Sequence, residues 1–438
     1  MSAESGHHFV AIVGGAVSGS VAAEILADAG VEVAVIEQHE RPYGKIEDGL
    51  PRWHAVQRKK EYGKVAERLT RPNVHYIPCT KLGRDVTFEE LTREVGLSAV
   101  LLANGAWRDR PFPVPHADRW VGRGLEYQNP LIGWFNHRNE KEYHGRWIEI
   151  PQGAAVFGGG LASIDVVKIC QLENFGRAIR DRGLEWDMHA CEKKGIEKHC
   201  ADLGIDDWTE LGVEPCTLYY RRRIDDMPLA QPPGNATPEQ MEKTVNARRK
   251  LLEVAQNKLK FKVQDCTVPL SFVIESGHVR GVELQRTEVV DGRAVPAPGS
   301  EETIRTDMVI SSIGSLPEPI PGVPMKGHHY RWEDWDLGTL EGYDGVFAVG
   351  NVVTGKGNIR ASLQHAQMVA EYLRENYFRG ALGAASAEVV KQHLEAKDPL
   401  PPEKIEQIRE LVRARQTRVG YDGDFTTWIE KHTPPDLE

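Results

Sequence analysis

The strongest constraint on how this chain folds lies between Phe9 and Glu37. An apolar run, Phe9-Val10-Ala11-Ile12-Val13, enters Gly14-Gly15-Ala16-Val17-Ser18-Gly19, and a small-residue stretch then leads to a second apolar run, Val31 to Ile36, closed by Glu37. Strand, glycine turn, helix and strand in that order make a βαβ grip for a dinucleotide. The glycines permit the tight turn, the helix N-terminus faces a pyrophosphate, and an acidic residue roughly 20 positions on accepts a ribose hydroxyl. Glu37 stands at that distance. Ala16 occupies the place where a second glycine usually brings the backbone up to the phosphates, so the first candidate cofactor site is Gly14, Gly15, Ala16, Ser18, Gly19 and Glu37.

The pattern returns once. An apolar strand at 154–157 runs into Gly158-Gly159-Gly160-Leu161-Ala162-Ser163-Ile164-Asp165, with Ser163 in the place of the last glycine. Two grips in one chain imply two bound dinucleotides, the second held by Gly158, Gly160, Leu161 and Ala162. The next strand, expected at 215–220, delivers Arg221-Arg222-Arg223. A strand in this position ends near the adenosine ribose, where an acid selects a free 2′-hydroxyl and arginines accept a 2′-phosphate through paired donors. Arg221 and Arg222 therefore point to NADPH rather than NADH; the plainer reading is a solvated basic turn.

Composition narrows the class. A chain of 438 residues with 40% hydrophobic and 27% charged residues has room for two or three soluble domains. Its net charge of −10 argues against nucleic acid as the main partner. No run is long enough to span a membrane, and the first ten residues lack a signal segment, so the cytoplasm is the expected location. The six cysteines form no C-x-x-C pair, which sets aside a redox disulfide and an iron–sulfur ligand set; no metal site is expected.

Further along, 41–51 reads as a glycine- and proline-punctuated loop containing Gly44 and Lys45, and 52–71 as a helix with a basic face. A strand at 98–103 ends in Asn104-Gly105-Ala106, the kind of strand end where an open α/β sheet meets its ligand. Prolines 111, 113 and 115 mark one linker and prolines 317, 319, 321 and 324 a return crossing. Residues 174–211 read as a polar helical insert, 239–256 as an amphipathic helix, 268–275 and 278–285 as a hairpin, and 291–300 as a loop. Near the end, Gly345-Val346-Phe347-Ala348-Val349-Gly350-Asn351 is a strand and turn, followed by Thr354-Gly355-Lys356-Gly357-Asn358 and a helix expected at 359–378.

Together these motifs resemble the flavoprotein reductases with two nested dinucleotide-binding domains, in particular the adrenodoxin-reductase type of ferredoxin–NADP reductase and the small subunit of glutamate synthase. Four stretches carry the resemblance. Pro42-Tyr43-Gly44 through Gly49-Leu50-Pro51-Arg52-Trp53-His54 is similar to the family's flavin-contacting loop. Gly133-Trp134-Phe135-Asn136 resembles the segment preceding the NADP domain, Gly158 to Asp165 the G-x-G-x-V-A-x-D grip, and Thr217-Leu218-Tyr219-Tyr220-Arg221-Arg222 with Met227-Pro228 the T-x-x-Y-R-R…M-P run. The resemblance covers roughly 10–378.

It implies an α/β fold of two nested Rossmann-like domains of the three-layer ββα type. FAD would lie on 1–108 and 320–380 and NADP on 109–319, with 381–438 a helical extension. It also implies FAD at the first grip and NADPH at the second, with Gly350, Asn351, Gly357, Asn358 and Ile359 beside the ribityl chain and ring. His54 takes the place of a histidine near the electron-exit side, as the one catalytic candidate, although a loop histidine more often serves structure. Ala16, Asn104 and Asn351 depart from the family's glycine, threonine and aspartate. With no iron–sulfur segment before the first grip, electrons are expected to leave for a separate redox protein such as a ferredoxin, or for a partner oxidoreductase subunit. The helix at 52–71 is either that partner's docking face or an ordinary solvated face. A flavin-binding scaffold without activity is the third reading. The motifs do not specify an oligomeric state.

Overall fold

A computed structural model describes residues 7–381 and 394–434. The chain divides into two compact units, one comprising 1–48, 54–108 and 315–438, the other 49–53 and 109–314.

The first unit is built on a five-stranded parallel sheet, ordered Val346–Ala348, Ala99–Leu102, Phe9–Val13, Glu32–Ile36, Val74–Ile77. Its register aligns Val10 with Val33 on one side and with Ala99 on the other. The chain order reverses between Phe9–Val13 and Ala99–Leu102, and a crevice at such a reversal is where an open α/β sheet receives a ligand. The central strand is buried along its whole length, as a strand covered on both faces must be. The helix Val17–Asp28 is rich in small residues and packs on Ile359–Tyr372 and Ala55–Leu69. Residues Phe9, Ala11 and Val13 point the other way, into a core shared with Phe88, Tyr330, Trp332 and Leu340.

That opposite layer differs from expectation. It consists of short hairpins, Met325–Lys326 with His329–Tyr330 and Trp332–Asp334 with Thr339–Leu340, together with the helix Pro402–Arg418. The C-terminal stretch expected as a separate extension therefore belongs to this unit: Ile405, Ile408 and Val412 recur at helical spacing and enter the same core. Pro401 and Pro402 sit at the helix start, where a missing N–H costs nothing. Of the helical extension expected at 381–438, residues 382–393 and 435–438 lie outside the described residues.

The second unit repeats the plan. Its parallel sheet runs Leu125–Tyr127, Val309–Ser312, Ala155–Gly158, Thr217–Tyr219, Lys262–Gln264. The helices Gln128–His137, Leu161–Asp181 and Pro238–Leu259 cover one face, contributing Phe135, Val166, Ile169 and Leu252 to a core. A three-stranded antiparallel sheet, Thr267–Glu275, His278–Val290 and Arg293–Arg305, covers the other, with Phe112, Phe157, Val279 and Leu284 between the sheets. Two sheets and a helical layer make this unit ββα. The loop expected at 291–300 is instead mostly strand: Asp291-Gly292 turn with positive φ, and Thr287 pairs with Pro296 across a bulge. The Pro, Gly and Ser that disguised it lie on an edge strand, where proline is tolerated. In the insert, the helix Leu161–Asp181 continues into Met188–Lys194 and Ile196–Asp202.

Candidate functional site

Each unit holds one candidate site. At the first grip, Gly14 has φ +103, and a Cβ there would lie 2.6 Å from the Ala103 carbonyl oxygen. A Cβ on Gly19 would lie 1.8 Å from the Gly14 carbonyl oxygen, so the helix rests directly on the turn beneath it. The Gly15 N–H donates to Glu37 Oε2 at 2.9 Å, and the His39 N–H donates to Oε1 at 3.1 Å. Glu37 is thereby brought against the glycine turn. Burial pushes its carboxyl up while these backbone donors pull it down. Ala16 is the N-cap of Val17–Asp28 with no side-chain cap. Its methyl lies 3.1 Å from where a Cβ on Gly44 would stand, and Gly44 itself has φ +49. The missing glycine at 16 is thus faced by a glycine at 44.

Gly350 closes against the same helix. A Cβ there would fall 1.8 Å from Ser18 Oγ, and its N–H donates to His365 Nδ1 at 3.0 Å. Asn351 Oδ1 accepts the Gly357 N–H at 2.7 Å, and Asn358 Oδ1 caps the helix starting at Ile359 through the Ala361 N–H at 2.8 Å. The turn 350–359 is held by its own amides, with Asn351 using its oxygen where an aspartate was the family expectation. Asn104 Nδ2 donates to the Tyr330 hydroxyl at 3.0 Å, which in turn donates to the Glu318 carbonyl at 2.8 Å. Gly105 has φ +67. Lys45 is drawn aside: its Nζ donates to Ser315 Oγ at 3.0 Å and lies 5.6 Å from the Trp107 ring centre. Behind the loop, buried Arg41 pairs with Glu47, and its guanidinium lies over Tyr43, which stacks on Tyr62. His54 is the half-buried residue preceding the helix Ala55–Leu69.

At the second grip, a Cβ on Gly158 would fall 2.2 Å from Ser312 O and from Ser163 Oγ. Ser163 Oγ donates to that same carbonyl at 2.9 Å, which explains how a serine replaces the last glycine. A Cβ on Gly159 would meet the Tyr220 ring at 2.3 Å, whereas Gly160 has nothing within 4 Å of such a position. Gly160 thus presents open backbone at the N-terminus of Leu161–Asp181, with Leu161 exposed beside it. The two arginines part company. Arg222 donates to the Tyr220 hydroxyl at 3.2 and 3.0 Å and to the carbonyls of Gly292 and Asp226, whereas the Arg221 side chain is exposed.

Two motifs read separately in the sequence meet in the second unit. Arg52 Nε donates to the Asn136 carbonyl, Asn136 Nδ2 donates to the Leu50 carbonyl at 3.0 Å, and Trp53 lies edge-on to Phe135. Sequence reasoning missed His365, Tyr330 and Tyr220 as supports. A histidine six positions after Ile359 on a helix carried no local signal; its role needs the 350 turn to come back beside it. Among the described residues there is no cluster of three or more His, Cys, Asp or Glu able to hold a metal, and no helix is long and apolar enough to cross a membrane.

Comparison with known proteins agrees with this architecture. The model of the NAD(P)-binding Rossmann-like domain matches residues 12–51, the first grip. The small chain of NADPH glutamate synthase from Halomonas elongata is 24% identical over 83% of this chain and 66% of its own length. The probable mitochondrial NADPH:adrenodoxin oxidoreductase of Schizosaccharomyces pombe is 20% identical over 80% of this chain and 78% of its own. The structure of Mycobacterium tuberculosis FprA in complex with NADPH superposes with a TM-score of 0.67 at 20% identity, covering 94% of this chain and 91% of that one. The chain spans just under two thirds of the Halomonas protein's length. Its similarities lie with the FAD-dependent pyridine-nucleotide oxidoreductase group, and its fold is that of the two-domain reductases.

Proposed function

We propose that the chain is an NADPH-dependent FAD oxidoreductase that passes its electrons to a separate redox protein, a ferredoxin. The carrying observation is the pairing, in one chain, of a grip ended by an acid with a grip ended by arginines. The first-grip residues fit FAD. Gly14 and Gly19 make room for a close turn, and Glu37 is the acceptor for a ribose hydroxyl. The match of an NAD(P) domain model to this grip is compatible, because the adenosine diphosphate half is common to both dinucleotides. Gly357 and Asn358 shape the start of the helix Ile359–Tyr372, whose N-terminal N–H groups suit an electron-rich ring edge. Bound FAD would supply the hydride acceptor and release electrons singly.

At the second grip, the open backbone of Gly160 and Leu161 would receive the NADPH pyrophosphate. Exposed Arg221 is the cation for the 2′-phosphate, and Arg222 braces Tyr220. These side chains perform no covalent chemistry; each grip positions its own ligand, and positioning is what hydride transfer asks of a protein. The six cysteines are all free thiols, which supports placing the protein in a reducing cytoplasm.

The likeness to glutamate synthase small chains favours a second reading, an electron-input subunit of a larger oxidoreductase. Size-exclusion mass with candidate partner subunits separates the two: a stable stoichiometric complex supports the subunit reading, and a lone chain that reduces ferredoxin supports the first. Protein that turns yellow with FAD but is not bleached by NADPH leaves only the inactive flavin-binding scaffold, and protein that stays colourless after incubation with FAD sinks all three readings.

A further inference from the structure

We propose that the C-terminal residues 402–434 act as a strap that fixes the Glu37–Arg41 loop, making Trp428 a positioning residue for FAD retention at the first grip. The inference rests on the assignment of FAD to that grip. Three contacts carry it. Trp428 Nε1–H donates to the Glu40 carbonyl at 2.7 Å, and the Tyr76 hydroxyl donates to the same carbonyl at 3.1 Å. Gln416 Nε2 donates to the Tyr76 carbonyl at 2.8 Å. Tyr421 and Phe425 stand edge-on to the Tyr76 ring, and Tyr421 stands edge-on to Trp428.

The strap is itself well anchored. Ile405, Ile408 and Val412 are buried in the core of the first unit, and Asp424 caps the helix Phe425–Lys431 through the Thr426 and Thr427 N–H groups. Arg409 pairs with Glu32 at 2.5 Å, on the strand that ends at Ile36. Burial pushes the Glu32 carboxyl up, but hydrogen bonds from His75 and Arg409 outweigh it and bring it to about 2.

The loop so held carries the ribose acceptor. Glu37 is fixed at one end by the Gly15 N–H, and Arg41 at the other by Glu47. Between them, the Glu40 carbonyl is gripped by the strap. A loop whose three supports lie on three separate elements keeps the Glu37 carboxylate aimed before the ligand arrives, and preorganisation of that kind lowers the cost of binding. Loosening the middle support frees the loop without touching the glycine turn.

The test is FAD release from the yellow wild-type protein and from Trp428→Phe, followed by flavin fluorescence after dilution. Phenylalanine keeps an aromatic ring in place but removes the donor. Loss of this part-buried hydrogen bond predicts release faster by up to about tenfold, with NADP⁺ binding at the second grip unchanged. If that variant does not fold, Tyr76→Phe removes the other donor to the same carbonyl, with a shift in the same direction. A lowered melting temperature with unchanged FAD release overturns the strap, because Trp428 is then only a packing residue. A wild-type protein that takes up no FAD overturns the assignment beneath it, and the strap with it.

Discussion

The two grips share one backbone plan and differ at the end of the second strand. Glu37 turns back to accept the Gly15 N–H, so the first grip closes on itself with an acidic side chain inside. At the corresponding place in the second grip, Tyr220 lies over Gly159 and the chain leaves through arginines. Glycine usage differs too. Gly19 admits direct contact of helix on turn, while Ser163 fills the equivalent place because its hydroxyl donates to Ser312 O. On the proposed assignment, the glycine turn supplies a common diphosphate seat, and the side chains at the strand end decide which nucleotide sits there.

The contrast is most severely broken by Gly19→Ala. The new methyl would stand 1.8 Å from the Gly14 carbonyl oxygen, a backbone atom that cannot move aside cheaply. We expect colourless protein destabilised by about 1–3 kcal/mol in denaturant titration, with NADP⁺ binding at the second grip retained. Next in size, Arg221→Ala should raise the KM for NADPH roughly tenfold to a hundredfold and leave that for NADH alone, as loss of charge-assisted hydrogen bonds to a phosphate would. Arg222→Ala should act more weakly and on both nucleotides, since its guanidinium holds Tyr220. Equal rates with NADPH and NADH in the wild type would sink the phosphate assignment.

A smaller effect concerns the turn at Gly350. Burial lowers the His365 pKa from its ordinary 6.5, with the Trp335 and Asp336 backbone and the Asp336 charge opposing this and Lys356 adding to it. The folded protein then binds fewer protons there than the unfolded chain. The stability His365 contributes is complete above pH 6.5 and is lost as pH falls through its folded value. Thermal unfolding should therefore show an acid-side decline in this range that His365→Gln reduces. Smallest of all, Ala16→Gly should tighten FAD by a factor of about three, the scale of a relieved methyl contact.

How much of this was legible in the sequence depended on how local the signal was. Both grips, their strand–turn–helix order and the Asn358 turn could be read because glycine, apolar run and helix start lie within a few residues of one another. The strand at 293–305 was missed because Pro296, Pro298, Gly299 and Ser300 read as loop, and only pairing with His278–Val290 makes it a strand. The tail was misplaced for a related reason. Its helix is charged on most faces, and the three apolar residues that bury it join a core with members such as Ile77 and Phe88, some 300 positions or more earlier in the chain. Supports such as His365 and Trp428 act through backbone groups outside their own element, 15 and 388 positions away, where no spacing rule applies.

The central claim is tested most directly by anaerobic titration of the purified protein, loaded with FAD, against NADPH and in parallel against NADH. The account predicts a flavin absorbance band that bleaches stoichiometrically with NADPH, more slowly with NADH, and returns when a ferredoxin is added. A protein that binds FAD but is not bleached by NADPH would contradict it.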